Sequence, residues 1–157
     1  MRLTTPAFQS GGQIPAIHTC DGSDASPALV WEGAPRAAES LALIVDDPDA
    51  PGGDWVHWVL FDLPVTTGRL PAGVPRGADV PSSGRQGRND FGQVGYGGPC
   101  PPAGPVHHYH FTLYALDLRL GLPSGVTKSD LQRAMRDHVL AQAELVGRYQ
   151  RRAQAPR

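Results

Sequence analysis

Three apolar segments of this chain each carry an ionisable group at one end: Asp47 closes LALIVDD, His57 lies near the start of WVHWVLFDL and His107 near the start of VHHYHFTLYAL. A carboxylate close to an imidazole orients the ring and favours its charged form, so a set of this kind could grip an anion or move a proton. Tyr109 adds a phenol two residues beyond His107, and the string DDPDAP adds Asp46 and Asp49.

The elements that must position these groups read as strands. Alternation predicts one face made of Leu41, Leu43, Val45 and Asp47, another of His57, Val59, Phe61 and Leu63, and a third of His107, Tyr109, Phe111 and Leu113. The first two segments are separated by a short loop, residues 48–54, which suits antiparallel neighbours and predicts Asp47 beside His57, with Asp47 orienting the ring. Asp46 points the other way, toward solvent or a structural bond. If the third segment pairs in the same sense, Asp47, His57, His107 and Tyr109 line a small polar pocket at the mouth of an apolar interior, and Asp49 is kept with Asp47 for the site.

Other chemistries find less support. His107 and the pair His108 and His110 fall on opposite faces of one strand, so the three cannot converge on a metal ion without a bulge, and no metal is expected. No GxSxG elbow is present, and Ser82, Ser83, Ser124 and Ser129 sit in polar or turn sequence. The glycines of VGYGGPCPP would let backbone amides approach an anion, but they match neither nucleotide fingerprint. No cofactor is indicated.

At 157 residues with 40% hydrophobic residues the chain is long enough for one domain with a real core. A formal net charge of −1 gives no field that would draw nucleic acid. The start MRLTTPAF has no leader pattern and the apolar runs are short, from which a soluble, cytoplasmic protein is expected. Two cysteines, Cys20 and Cys100, lie in loop-like sequence. Separate buried thiols are the favoured reading, because a cytosolic setting argues against a persistent bridge.

Glycine and proline crowd into residues 64–105, which hold 10 of 19 glycines and 8 of 16 prolines, so that stretch cannot be regular helix or central strand. Phe91, Val94 and Tyr96 interrupt it, and a long ordered loop with a functional role is predicted. The first 120 residues read as mainly β. Thr127 with Asp130 fits a capping box, and Leu131, Met135, His138, Leu145 and Val146 recur at helical spacing, predicting a helix that runs to Gly147 and a frayed basic tail from Arg148. The division is a single domain over 1–150 with a flexible tail at 151–157.

Taken together, DDPDAP, the His57-Trp58 pair, GYGGPCPP and His107-His108-Tyr109, with TCDGSDASPALVW and GRNDFG, resemble the phosphatidylethanolamine-binding protein family, in its bacterial Raf kinase inhibitor-like branch. The resemblance covers nearly the whole chain. It implies a Greek-key β fold of two antiparallel sheets with a C-terminal helix and few peripheral helices. It also implies an anion pocket formed by Asp47, Asp49, His57, Pro101, His107 and Tyr109, with no catalytic residue assigned. One departure stands out: His108 occupies a place where the family usually has arginine, with its side chain turned from the pocket. The resulting expectation is a binding protein for a small phosphate- or carboxylate-bearing ligand, such as a phospholipid headgroup, that regulates a protein partner. Imidazolium N–H, the Tyr109 hydroxyl and glycine-loop amides would be the donors. Two alternatives stay open: a hydrolase using Asp47–His57 as general base, and an inhibitor of a kinase or protease acting by surface contacts. Exposed apolar surface would support a homodimer.

Overall fold

The computed structural model describes residues 1–80 and 84–152; Ser82, Ser83 and the tail beyond Arg152 lie outside the described residues. Two antiparallel sheets face each other. The smaller is ordered β1 (Arg2–Thr4), β2 (Leu29–Glu32), β5 (Arg69–Leu70), and the larger is ordered β6 (Arg85–Gln86), β4 (Trp55–Leu63), β3 (Ser40–Asp47), β7 (His107–Leu116), β8 (Val139–Tyr149). No helix is long and apolar enough to cross a membrane among the described residues.

Alternation builds the core between the sheets. Leu41, Leu43 and Val45 of β3 and Tyr109, Phe111 and Leu113 of β7 meet Leu3, Leu29, Trp31 and Leu70 of the smaller sheet. Each fully buried side chain of this size contributes roughly 1.5–3 kcal/mol relative to exposure. The opposite face of the larger sheet carries Ala42, Ile44, Val59 and Phe61, covered by Leu131 and Met135 of α1 (Lys128–Met135). That helix starts on a full capping box, with the Asp130 amide donating to Thr127 Oγ1 and the Thr127 amide to Asp130 Oδ2.

β4 departs from simple alternation. Val45 pairs with Trp58 and Asp46 with Val56, which leaves His57 as the extra residue of a β-bulge. A second shift, between the Leu43–Leu60 and Leu41–Leu63 pairs, is absorbed at Asp62, whose φ is 54° and whose carboxylate accepts from the Leu120 and Gly121 amides. The expected common face of His57, Val59, Phe61 and Leu63 is therefore not formed. Val59 and Phe61 lie under α1, whereas Leu63 joins the core between the sheets and His57 turns to the side of Trp58.

Two further expectations are corrected. The helix stops at Met135, and Val139–Tyr149, read as its continuation, is an edge strand paired with β7 along its length. Its Ala141, Ala143, Leu145 and Tyr149 belong to the core at a period of two, and a Cβ on Gly147 would lie 2.6 Å from the Ile14 side chain. Arg148 and Tyr149 are thus in the sheet, and Arg151 pairs with Asp21 at 3.2 Å. The two cysteines are also not separate thiols: Cys20 and Cys100 form a disulfide. The loops that carry them meet because the Cys20 amide donates to the Pro99 carbonyl at 3.0 Å.

Candidate functional site

The ends of β3, β4 and β7 and the Gly-Pro-rich loop enclose a recess of about 270 Å³. This is slightly smaller than the roughly 300–1,000 Å³ of common small-molecule sites. Asp47, His57, Pro101, His107 and Tyr109 all line it, joined by Trp55, Phe91 and Cys100. Asp49 does not. Its carboxylate turns outward and accepts from the His108 amide at 2.9 Å and from His108 Nδ1 at 2.7 Å, fastening the 48–54 loop to the start of β7. His108 therefore faces away from the recess, and it holds Asp49 below the usual carboxylate range.

Asp47 reaches the recess by the plain alternation of β3. Its Oδ2 accepts from His107 Nδ1 at 2.6 Å, and its Oδ1 from the Asp49 amide at 2.8 Å. Both side chains of the Asp47–His107 pair are about 95% buried, at 4% and 5% exposure, so each depends on the other to satisfy its polar atoms. The expected Asp47–His57 pair is not made. The bulge carries the His57 ring toward the Gly-Pro-rich loop, where Nδ1 donates to the Gly97 carbonyl at 2.6 Å. Phe91 and Tyr109 hold the ring edge-on, with centroids 5.4 and 5.1 Å away.

That loop is a built wall. The Asn89 side chain donates to the Gly95 carbonyl and accepts from the Phe91 and Gln93 amides, while Asp90 accepts from the Val56 amide at 2.7 Å. Together they set Phe91 against Trp55 at the recess mouth, with centroids 5.5 Å apart. Gly97 donates to the His57 carbonyl, and Gly98 donates to Asp24 Oδ1 at 2.9 Å. The glycine amides are thus engaged inside the wall and do not serve as the ligand donors expected of them. A Cβ on Gly97 would fall 2.4 Å from the Phe91 ring, and one on Gly98 2.3 Å from Asp24 Oδ1, so close packing explains these glycines.

Carbonyl and carboxylate oxygens only accept, so Nδ1 carries the hydrogen in both rings and Nε2 is the nitrogen left for the recess. Burial pushes the His57 pKa below its ordinary 6.5, against the raising effects of the Gly97 bond and the Asp47 charge. The expectation that His57 is held protonated is therefore reversed: at neutral pH it presents a lone pair. Burial also keeps the Tyr109 hydroxyl protonated, well above its ordinary range, and so available as a donor. Among the described residues, no three histidine, cysteine or acidic side chains form a metal-binding group.

Sequence reasoning missed Trp55 and Phe91 as lining groups and the Gly97 carbonyl as the anchor of His57. Phe91 did leave a signal, as an aromatic residue isolated in a run of glycine and polar residues. The carbonyl left none, because any residue supplies one.

Comparison with known proteins is consistent along nearly the whole chain. The family model described as phosphatidylethanolamine-binding protein matches residues 4–150. A UPF0098 protein of Methanothermobacter thermautotrophicus is 51% identical over 96% of this chain and 99% of its own. The crystal structure of a phosphatidylethanolamine-binding protein homologue from Chlamydia trachomatis superposes with a TM-score of 0.87 at 41% identity, covering 96% of this chain and 97% of that one. E. coli YbcL, described as a new member of the mammalian family, superposes at 0.89 with 35% identity, covering 96% and 98%.

Proposed function

This chain belongs to the phosphatidylethanolamine-binding protein family, and on that premise we propose that its recess binds the phosphate or carboxylate head of a small ligand and that occupancy regulates a protein partner. The observation that carries the reading is the pair of imidazoles each tied through Nδ1, His57 to the Gly97 carbonyl and His107 to Asp47, which leaves both Nε2 atoms for the recess that Tyr109 also lines. A neutral Nε2 accepts, so an anion binds together with a proton, supplied by the anion itself or taken up by the ring. The resulting imidazolium N–H and the phenol then donate to the anion, with Asp47 stabilising the His107 end. Two or three charge-assisted bonds of roughly 1.5–3 kcal/mol each leave millimolar to micromolar affinity after the cost of association.

Proton uptake makes this reading testable. Above the pKa of free His57, affinity for a fixed-charge anion falls by about tenfold per pH unit for each proton taken up. Sulfate keeps its charge over this range, whereas phosphate changes its own, so sulfate isolates the ring. Titration of the histidine ring resonances with sulfate at pH 6 and pH 8 is expected to show markedly tighter binding at pH 6. Equal affinity at both values would remove the proposal.

A second reading rests on the Asp47–His107 dyad, a carboxylate-oriented imidazole of the kind that serves as a general base. The amides of Gly97 and Gly98 are engaged and cannot form an oxyanion hole, which favours binding over turnover. Turnover of an ester panel that disappears in His107→Ala would promote the hydrolytic reading.

A further inference from the structure

The Cys20–Cys100 disulfide lies at the mouth of the recess, and its surroundings distinguish the two sulfurs. Cys100 lines the cavity and is exposed, whereas Cys20 is half-buried in the loop beyond the Ala16–His18 turn. Arg151 holds Nη1 at 3.7 Å from Cys100 Sγ. The same guanidinium pairs with Asp21 at 3.2 Å, and Asp21 in turn accepts from the Tyr149 hydroxyl, so the cation is fixed in place beside that sulfur. A cation bonded to sulfur stabilises thiolate over thiol, and the sulfur with the lower pKa is the better leaving group in exchange.

We propose that Cys20–Cys100 is a redox-active disulfide whose reduction delivers a Cys100 thiolate to the anion recess and weakens anion binding there. The reductant is a dithiol. One of its thiolates attacks Cys20 Sγ, the disulfide bond breaks, and its electron pair departs on Cys100 Sγ beside Arg151. The second thiol of the reductant then attacks its own sulfur in the mixed disulfide and releases Cys20, which takes a proton. The protein gains two electrons, and the dithiol closes to a disulfide. The groups facing the new charge across the recess are Asp47, His57, His107 and Tyr109, with Arg151 and Asp21 behind it. An added negative charge there opposes the same ligands that the imidazoles attract.

The ligand half of this inference rests on the anion-binding reading above; the exchange half does not. The first measurement is therefore the rate of reduction of the oxidised full chain by dithiothreitol. Arg151→Gln is expected to slow it about threefold or more, since the leaving-group pKa rises. An unchanged rate overturns the proposed role of Arg151 and with it the thiolate. The second measurement is sulfate affinity of wild-type protein at pH 7.5, oxidised and reduced, read on the histidine resonances, which also report that the reduced fold is intact. Reduction is expected to weaken affinity at least fivefold, and Cys20→Ser should bind as weakly as the reduced protein without responding to dithiothreitol. Equal affinity in both states overturns the switch. If oxidised protein takes up no sulfate at any pH while Arg151→Gln still slows reduction, the anion-binding reading fails and the redox-active disulfide stands.

Discussion

Asp46 and Asp47 are consecutive in β3, face opposite sides of the same sheet, and each meets a side-chain nitrogen at the same 2.6 Å, yet they do different work. On the side covered by α1, Lys128 Nζ lies between Asp46 and Asp54, at 2.6 Å from each. That cluster faces away from the recess. Burial pushes Asp46 above its ordinary range despite the lysine, and the two carboxylates hold Lys128 above its own despite burial. On the other side, Asp47 uses only one nitrogen of His107, and the ring keeps the second for the recess. What separates the two faces is where the remaining bonding capacity points: the buried Asp47–His107 pair lines the recess, whereas Asp46, Asp54 and Lys128 do not.

The largest effect on the recess side is expected from Asp47→Asn. The buried His107 would lose its charged acceptor, which costs about 2–3 kcal/mol in urea unfolding, and sulfate affinity should fall tenfold or more in the same protein. Retention of both would mean that the Asp47–His107 pair is incidental. Lys128→Met tests the opposite face. It leaves Asp46 without its cation and should cost about 2 kcal/mol of stability, with sulfate affinity unchanged by calorimetry.

The lowered His57 pKa gives a smaller, pH-dependent effect whose sign is fixed. On acidification the unfolded chain protonates this histidine near its ordinary 6.5 while the buried ring resists, so the unfolded state binds more protons and stability falls as pH drops below that value. The slope from this group is at most about 1.4 kcal/mol per pH unit. His57→Gln should flatten the denaturant midpoint against pH between 7 and 5, and added sulfate should do the same in wild type.

The smallest effect is expected at the exposed Asp49–His108 pair, where side chains are 42% and 43% exposed. Screening leaves such a pair within about 0.5 kcal/mol, and Asp49→Ala should change sulfate affinity less than twofold. A tenfold loss would return Asp49 to the binding site, where the family resemblance puts it.

Much of the sheet was legible in the sequence because alternation is a local property. β7 reads directly from His107, Tyr109, Phe111 and Leu113, and β3 from Leu41 to Asp47, down to Asp46 facing a structural bond. The capping box at Thr127 was legible for the same reason. Val139–Tyr149 was misread because alanine, glutamine, glutamate and leucine favour helix in isolation, while pairing with β7 decides otherwise. Its period-two run of Ala141, Ala143, Leu145, Gly147 and Tyr149 was the signal for a strand.

Side-chain periodicity alone brings a carboxylate, an imidazole and a phenol, those of Asp47, His107 and Tyr109, to the strand ends, and the chain's short-range order puts His57 close by. Tertiary structure alone decided how they are wired. A bulge in β4, visible only as a register shift against β3, turned His57 from Asp47 to a backbone carbonyl and left the carboxylate to His107. The meeting of two distant loops likewise made one disulfide of two cysteines. Local periodicity says which way a side chain points, but register, bulges and loop contacts depend on residues far away in the chain, and those select its partner.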